Sequence, residues 1–356
     1  NEATVTRDPL LPLPFSPNKI INTQATIDNA PGSNPYVYPA VDWLDMLFKK
    51  RTSTQRANLS VSAGRAAAPI YIAASYNVDN GILKEDKMNN NDNNVKFRNY
   101  QLRSNINIKL SKTIELIVRL SGNFSEYNGP MTADGGFSTD LYNIATHTSP
   151  VLFPAFFPKD SARANSKHIL FGNVGGDGAN SIRYNNPYAA LLRGHKNSSQ
   201  SRMSAQLELN QRLDFITQGL TFRGIFNTNR YSYFESSMAY SPFYYNVGTY
   251  DKMSNRYTLN WLNSQPTGSN VAQEYLTYNP GYTDLNTFLY FQGALDYNKR
   301  LGDHTISSSL IGAAQQTSFA NASTLFKALP YRNLTLAGRA TYSYLNKYFV
   351  EASFGY

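Results

Sequence analysis

The sequence lacks cysteine altogether and contains only 2 tryptophans among its 356 residues. Without thiols the chain can form neither a disulfide framework nor a thiolate metal centre, which suits passage through an oxidising periplasm without requiring it. Charged residues make up only 16% of the chain, whereas roughly a quarter is usual in soluble domains. The sequence is therefore short of the charges that an ordinary soluble surface carries.

Long apolar runs are also missing. No segment approaches the roughly 18 residues that a membrane-spanning helix requires, and the mean hydropathy is −0.43. The chain is instead rich in aromatic residues, with 26 tyrosines and 20 phenylalanines. Such a composition fits either a transmembrane β-barrel or a large soluble β-protein. Composition alone leaves both classes open.

The net charge of +9 raises the question of nucleic-acid binding. That function requires basic residues gathered in a patch or stripe. Here they fall singly along the chain, as do Arg103, Lys109 and Arg119, often on the polar side of an alternating run. We therefore expect no nucleic-acid partner.

The first part of the chain differs from the rest. The stretch to about Pro39 is rich in Pro, Asn and Thr, which predicts an irregular segment. Over residues 38–50, apolar positions near helical spacing and two final lysines predict a short amphipathic helix. We therefore expect a lead-in over residues 1–55 and a barrel over residues 56–356. Asn1 is not an initiator methionine and no signal peptide follows it, so a processed or partial chain is expected.

From Arg56 onward the apolar period is two, which predicts strands with one apolar and one polar face. The clearest hairpin has apolar residues alternating from Tyr100 to Leu110, a turn over residues 111–113, and a second alternating run to Phe124. The pattern recurs three times, with turns near Gly219, at residues 302–303 and at residues 345–347. The runs together predict about ten strands.

The connections between strands separate the two β classes. Short turns join the strands of each pair, whereas residues 125–200 and 235–287 form long irregular stretches between pairs. Outer-membrane barrels have short turns on one side and long loops on the other, and soluble sandwiches show no such bias. We therefore predict an all-β fold, part of a transmembrane antiparallel β-barrel with long extracellular loops.

Aromatic residues collect near strand ends, as expected for girdles at the lipid interface. These residues are Tyr76, Tyr100, Phe124, Tyr297, Tyr344 and Tyr348. The high β-propensity of aromatic residues gives the same composition without the bias toward strand ends.

Residue patterns for catalysis or metal binding are weak. The four histidines, His147, His168, His195 and His304, are far apart in sequence, and none has a second ligand at metal-binding spacing. No nucleophile elbow or phosphate-binding loop signature occurs. We expect no enzyme activity, no cofactor and no metal.

Two segments could either bind a ligand or form ordinary loops. Residues 172–178 are glycine-rich and could hold phosphate, but no helical pattern follows them, so we expect a loop tip. Asp86 and Asp92, with the Asn-rich run over residues 89–94, could ligate calcium through oxygen atoms. That run lacks the glycine and glutamate of an EF-hand loop, so we expect a solvated turn.

The long stretch after Phe124 contains a pattern of its own. Ser138 or Thr139 could cap a short helix that carries Leu141 and Ile144. A folded element within a loop suggests a cap or a lumen insertion, and passive packing explains it equally well.

Several segments resemble one family. Residues 329–344, which read LPYRNLTLAGRATYSY, and residues 348–356 closely resemble the mid-barrel signature of SusC/RagA-type TonB-dependent transporters of Bacteroidetes. Residues 38–43 resemble that family's segment just after the plug domain, residues 102–122 its early barrel hairpin, and residues 186–191 a loop element. These matches occur in the family's order over most of the chain.

The resemblance implies the first half of a 22-stranded barrel, beginning after the plug. It further implies a bacterial outer-membrane protein that actively imports oligosaccharides or peptides, driven through TonB, with a SusD-like lipoprotein as a lid over the loops. The TonB-contacting box, the plug and the closing strands are not in this sequence. The barrel would also contact outer-membrane lipid.

For substrate or lid contacts we predict Tyr142, Asn143 and His147 in the first long loop, and Tyr278 and Tyr282 in the second. Aromatic and Asn-rich loops suit both sugar stacking and hydrogen bonding to peptide backbones, so the substrate class stays open. A passive porin or surface adhesin would share the barrel without a plug. A soluble secreted β-protein with a carbohydrate-binding or hydrolytic role would not need detergent for extraction.

Overall fold

The computed structural model describes residues 15–65, 68–86, 88, 93–131, 137–175, 184–264 and 271–356. Within them the helices are α1 (Pro17–Ile27), α2 (Trp43–Leu47), α3 (Phe137–His147), α4 (Pro187–Leu192) and α5 (Leu325–Ala328), and a 3₁₀ turn spans Ser161–Arg163. Among the described residues, no helix has the length and apolar character needed to cross a membrane.

The strands belong to two groups. Ten long strands are β1 (Thr54–Arg65), β2 (Ala68–Asn80), β3 (Lys96–Lys109), β4 (Ile114–Pro130), β7 (Gly194–Arg212), β8 (Leu220–Ala239), β12 (Thr283–Leu301), β13 (His304–Phe319), β14 (Tyr331–Tyr344) and β15 (Tyr348–Gly355). Five shorter strands are β5 (Phe156–Phe157), β6 (Leu170–Gly172), β9 (Phe243–Asp251), β10 (Arg256–Trp261) and β11 (Thr277–Asn279).

The ten long strands form one antiparallel sheet in the order β1-β2-β3-β4-β7-β8-β12-β13-β14-β15, and β11 pairs with β8. Every long strand therefore lies beside the long strands that precede and follow it along the chain. Pairing runs almost the full strand length, for example from Gly194 to Arg212 along β7 and β8. The predicted all-β class, the antiparallel pairing and the number of about ten strands are confirmed.

The two ends of this sheet differ in their connections. The links β1–β2, β3–β4, β7–β8, β12–β13 and β14–β15 are short and lie at one end, here called the short-turn end. The links over residues 81–95, 131–193, 240–282 and 320–330 lie at the other, here called the loop end. The predicted separation of short turns from long loops is confirmed, and it is the arrangement typical of outer-membrane barrels.

The two faces of the sheet differ in polarity. Even-numbered residues of β7 from Lys196 to Arg212 are all polar, whereas Met203, Ala205, Leu207 and Leu209 point to the opposite side. Strand register extends these two rows across the sheet as a polar face and an apolar face. Large side chains of the apolar face stay exposed, with Leu102 at 55% and Phe291 at 54%. In the described residues no second sheet covers them, as a lipid-facing surface requires.

The buried core lies at the loop end rather than under the sheet. Helices α2, α3 and α4 pack together with residues of the long loops, including Leu83, Phe153 and Phe171. A second cluster lies on a small sheet of order β10-β9-β6-β5. We call this assembly the cap. It consists of α2, α3, α4, β5, β6, β9 and β10, together with the described loop residues that pack around them at the loop end.

The lead-in is more ordered than its composition predicted. Residues of α1 were expected to be irregular, but Ser16 caps this helix by accepting a hydrogen bond from the Lys19 amide at 3.3 Å, and Pro17 occupies its first turn. The prediction was wrong because Asn and Thr hide the helical period. The short helix predicted over residues 38–50 exists as α2. It ends at Leu47, and beyond it the Lys49 amide donates to the Ile82 carbonyl at 2.6 Å.

The long loops also contain more structure than expected. Strands β4 and β8 continue to Pro130 and Ala239, and β9 and β10 form a hairpin where irregular chain was predicted. Helix α3 begins at Phe137, so Ser138 and Thr139 lie inside it and neither is its cap. Part of the glycine-rich segment over residues 172–178, and Asp92 of the Asn-rich run, lie outside the described residues.

Backbone strain at the β14–β15 turn allows a first test. Leu345 and Asn346 have positive φ angles of 52° and 56°, a region that costs leucine about 1–2 kcal/mol but that Asn tolerates. Leu345→Asn is therefore expected to stabilise this hairpin by about 0.5–1 kcal/mol. Hydrogen exchange of β14 and β15 would measure it. Lys347→Asn is the control, because its φ is not positive, and equal gains in both variants would refute the strain argument.

Candidate functional site

One buried side chain, Asn186 at the start of α4, links several segments of the cap. Its Nδ2 donates hydrogen bonds to the carbonyls of Ala155 and Gly172, both at 2.8 Å. Its Oδ1 accepts from the amides of Tyr188 and Ala189 at 2.9 and 3.1 Å. One amide group therefore caps α4 and joins the helix to two segments of the same loop. This explains the role of residues 186–191, which the sequence marked only by resemblance.

Helix α2 attaches the lead-in to the cap. Asp42 caps it by accepting from the Asp45 amide at 2.9 Å, which places Trp43 and Leu47 one turn apart on the same face. Trp43 packs against Phe153 with ring centroids 5.9 Å apart, and Leu47 is fully buried. The chain before β1 is therefore a structural part of the loop end.

The small sheet carries a group of stacked rings. His168 lies on Phe243 with ring centroids 3.6 Å apart and planes 10° apart. Trp261 packs against Phe243 at 5.5 Å and against Tyr245 at 6.4 Å. We call His168, Phe243, Tyr245 and Trp261 the aromatic platform. Strand alternation explains it, because residues 243 and 245 point to one side of β9 and Trp261 is paired with Tyr245.

Polar groups surround the aromatic platform. The two ring nitrogens of His168 lie 3.1 Å from Glu274 Oε1 and 3.0 Å from the Tyr245 hydroxyl. The Arg163 guanidinium lies 5.1 Å from the centroid of the Tyr245 ring, and Trp261 Nε1 donates to Asn263 at 3.0 Å.

Most of the aromatic platform is covered, but Trp261 is 41% exposed. A fixed, half-exposed indole beside carboxylate and amide groups can stack on an apolar ring face while neighbours hydrogen-bond to its edge. This chemistry suits a sugar ring or a planar side chain.

The predicted residues of the first loop lie on α3. Tyr142 is half exposed and its ring meets Phe48 at 6.0 Å in an edge contact. His147 Nδ1 lies 2.9 Å from the Asn143 carbonyl one turn earlier. Asn143 and His147 are therefore neighbours on an exposed helix face, and Tyr142 partly serves to hold α3 against the lead-in.

The predicted residues of the second loop lie at the loop end of the sheet. Tyr278 is on β11 beside Met238 of β8, and Tyr282 packs on Tyr233 with centroids 6.0 Å apart. Tyr282 is also held through its backbone, since its carbonyl accepts from the Glu235 amide at 3.0 Å. Both tyrosines are more than half exposed. They lie on a different element from α3, so the structure positions the five predicted residues as two groups.

The polar face below the cap carries arginines in two environments. Arg119 pairs with Glu208 at 3.2 Å, Arg223 with Asp296 at 3.7 Å and Arg339 with Glu351 at 2.9 Å. Arg103 and Arg202, by contrast, line a groove of about 600 Å³ whose other polar lining residues are Ser, Asn, Gln and Tyr. The face is therefore polar and rich in hydrogen-bonding groups.

Two partly buried tyrosines of the cap have side-chain pKa values above the usual range. Burial raises the pKa of Tyr240 and of Tyr244 to about 12. Both therefore keep their hydroxyl protons at physiological pH. Tyr244 also borders a cavity of about 160 Å³ between α3 and α4.

The described part of the chain contains no group of three or more His, Cys, Asp or Glu side chains able to hold a metal ion. Asp86, considered for calcium, instead accepts a hydrogen bond from the Tyr188 hydroxyl. His168 is not an isolated side chain, because Phe243, Glu274 and Tyr245 surround it. The sequence analysis missed the aromatic platform, although the alternation of Phe243, Tyr245 and Val247 was a readable signal.

No protein-family model matches the chain, and no curated protein matches it in sequence. Solved structures do resemble it. The RagAB peptide transporter is 13% identical with a TM-score of 0.51, covering 95% of this chain and 36% of that chain. The RagAB peptide importer in its open-open state is also 13% identical with a TM-score of 0.51, covering 96% of this chain and 36% of that chain.

The ferric-catecholate import receptor Fiu from E. coli K12 is 13% identical with a TM-score of 0.33, covering 85% of this chain and 36% of that chain. This chain thus spans about a third of the length of the transporters that it resembles. Its antiparallel all-β fold is similar to that of outer-membrane transporter barrels of the RagAB type.

Proposed function

We propose that this chain forms part of the wall and the loop-end cap of a bacterial outer-membrane importer. The importer takes up oligosaccharides or peptides, is driven through TonB, and works with a SusD-like surface lipoprotein that covers the loop end. Residues 1–55 serve as the lead-in and residues 56–356 as barrel wall. The role is transport, without catalysis, a cofactor or nucleic acid.

One observation carries this proposal: the sheet has an uncovered apolar face and a hydrogen-bonding polar face, and all its long connections lie at one end. A soluble protein would leave that apolar face in water at a high cost in free energy. A membrane wall instead places it in lipid, with the polar face toward an aqueous interior. The similarity in fold to the RagAB peptide transporter supports the same assignment.

Two regions of this chain and the lipoprotein have separate roles in import. The polar face lines the path, with Arg103 and Arg202 offering charge to passing substrate. The cap contributes the first contacts, through Trp261 of the aromatic platform and through the two predicted groups, Tyr142, Asn143 and His147 on α3 and Tyr278 and Tyr282 beside β8. The lipoprotein closes over these loops from outside.

The test uses the full-length protein carrying this chain, expressed in its own outer membrane. We expect detergent to be needed for extraction, a surface lipoprotein to co-purify, and uptake of labelled oligosaccharide or peptide to stop when the proton gradient is collapsed. Uptake that continues without the gradient would indicate a passive porin. Extraction without detergent would indicate a soluble β-protein and refute the membrane assignment.

A further inference from the structure

A cluster of aromatic and basic residues lies on the apolar face at the short-turn end. Strand register places Lys299, Ile306 and Tyr342 in one row across β12, β13 and β14. The next row toward the turns contains Leu301, His304 and Tyr344. Since alternate residues of a strand share a face, these two rows form one continuous surface.

The polar atoms of this cluster are fixed relative to one another. His304 Nδ1 lies 2.6 Å from the Tyr342 hydroxyl, and its ring centroid lies 4.9 Å from that of Tyr344. The other nitrogen of His304 has no hydrogen-bond partner in the described residues. The cluster therefore presents a preformed pair of hydrogen-bonding groups on the same face as Lys299, which shares a row with Tyr342.

The charge around the cluster is positive. Neither Lys299 nor Lys347 of the adjacent β14–β15 turn has a carboxylate within 4.0 Å in the part of the chain that the structure describes. Asp296, three residues before Lys299, lies on the polar face and pairs with Arg223 at 3.7 Å. Asp303 lies in the β12–β13 turn, where its backbone carbonyl accepts from the Leu345 amide at 2.8 Å. An anionic group would therefore find two unpaired cations here and no carboxylate paired with either.

An apolar groove lies on the same face, nearer the loop end. Its volume is about 690 Å³, and its walls include Phe226, Phe291 and Leu336, with Gly293 and Gly312 in neighbouring positions between them. Gly293 precedes Lys299 by six residues on β12, which is about 20 Å along a strand. At the tilt of about 45° usual for barrel strands this is about 14 Å of depth, close to half of a 30 Å bilayer core.

We propose that this surface binds one anionic phospholipid of the membrane leaflet at the short-turn end. The phosphate lies against Lys299, His304 and Tyr342, the tyrosine ring of residue 344 supports the glycerol region, and an acyl chain reaches the groove at Gly312. Charge selects the occupant, because unpaired lysines favour an anionic headgroup over a zwitterionic one. Aromatic and basic side chains together are typical of the lipid interface. This inference rests on the proposed membrane function.

The experiment uses the full-length protein purified in detergent and exchanged into mixed micelles of phosphatidylglycerol and phosphatidylethanolamine. Native mass spectrometry measures which lipid stays bound. We expect the wild type to retain phosphatidylglycerol preferentially and Lys299→Gln to weaken that retention about fivefold. Lys109→Gln is the matched control, because it removes the same charge at the same end but on the polar face.

A second variant tests the acyl chain separately from the charge. A side chain at Gly312 meets no atom within 4 Å at its Cβ position, so Gly312→Leu can fill the groove without a clash. It is expected to weaken retention of long-chain phosphatidylglycerol but not of a short-chain analogue. Equal retention of both headgroups, or equal losses in Lys299→Gln and Lys109→Gln, would overturn the lipid site while leaving the importer proposal intact. A protein that needs no detergent would overturn the importer proposal itself.

Discussion

Asn186→Ala is expected to open the cap while leaving the ten-stranded wall intact. The substitution removes the N-cap of α4 and takes one donor from each of the carbonyls of Ala155 and Gly172, of which the Ala155 carbonyl keeps the Gly172 amide at 3.3 Å. A lost cap costs about 1 kcal/mol and a buried carbonyl deprived of its donor about 1–3 kcal/mol, so the cap should lose about 3 kcal/mol. Hydrogen exchange of α3, α4 and β6 in the full-length protein should accelerate roughly 100-fold.

Asn185→Ala is the control for this experiment. Its side chain is exposed, one position before Asn186 along the chain, and its loss should leave cap protection unchanged. Protection in β7 and β8 should be the same in both variants, because their ladder bonds do not involve residue 186. If Asn186→Ala exchanges like the wild type, the cap is held by packing of its apolar core and the hydrogen bonds contribute little.

The ten-stranded wall could be predicted from the sequence because strand alternation and short turns, which determine it, involve residues close together in the chain. A period of two fixes which face each residue occupies, and short turns with Gly219 or Gly302 fix which strands pair. Both glycines have positive φ angles, 86° and 61°. Neighbours in sequence are then neighbours in space, so the hairpin β12–β13 follows from residues 289–314 alone.

The cap could not be predicted in the same way. Its small sheet pairs β6 with β9 in parallel, joining Leu170 to Phe243 across a long stretch of chain. No local period announces such a pairing, since parallel strands depend on distant segments. Helix α1 was missed for a different reason: Asn and Thr interrupt its apolar positions, and only Ser16 and Pro17 mark its start.

The candidate site likewise has a part that the sequence indicates and a part that only the structure shows. The sequence pointed to two long loops, because length and aromatic content mark them, and the structure places Tyr142 and Tyr282 of these loops at the loop end. It gave no weight to Trp261 or His168, whose importance comes from contacts between β9, β10 and residues far away, such as Glu274. Exposure of a rigidly held tryptophan is a property of the fold, and no motif encodes it.

Trp261→Ala is expected to cause the largest loss of substrate binding of any single change in the cap. Its ring is held by Phe243, Tyr245 and Asn263, so it is ordered before binding and the ligand does not have to fix its rotamer. Truncating a tryptophan that forms the centre of a contact costs about 2 kcal/mol or more, roughly 30-fold in affinity. Calorimetric titration of the full-length protein with a panel of neutral oligosaccharides and short peptides measures the loss.

Two further variants show whether the ring itself is responsible. Trp261→Phe keeps an aromatic face and should retain most of the affinity, because stacking depends on the π surface more than on the indole N–H. Met253→Ala removes a side chain that is 98% exposed at the tip of the same hairpin and should have no effect. If Trp261→Ala binds every ligand of the panel as the wild type does, while its cap keeps full exchange protection, the aromatic platform is only a packing device. In that case the contacts would have to come from the other exposed rings predicted at this end of the sheet, which are Tyr142 on α3 and Tyr278 and Tyr282 beside β8.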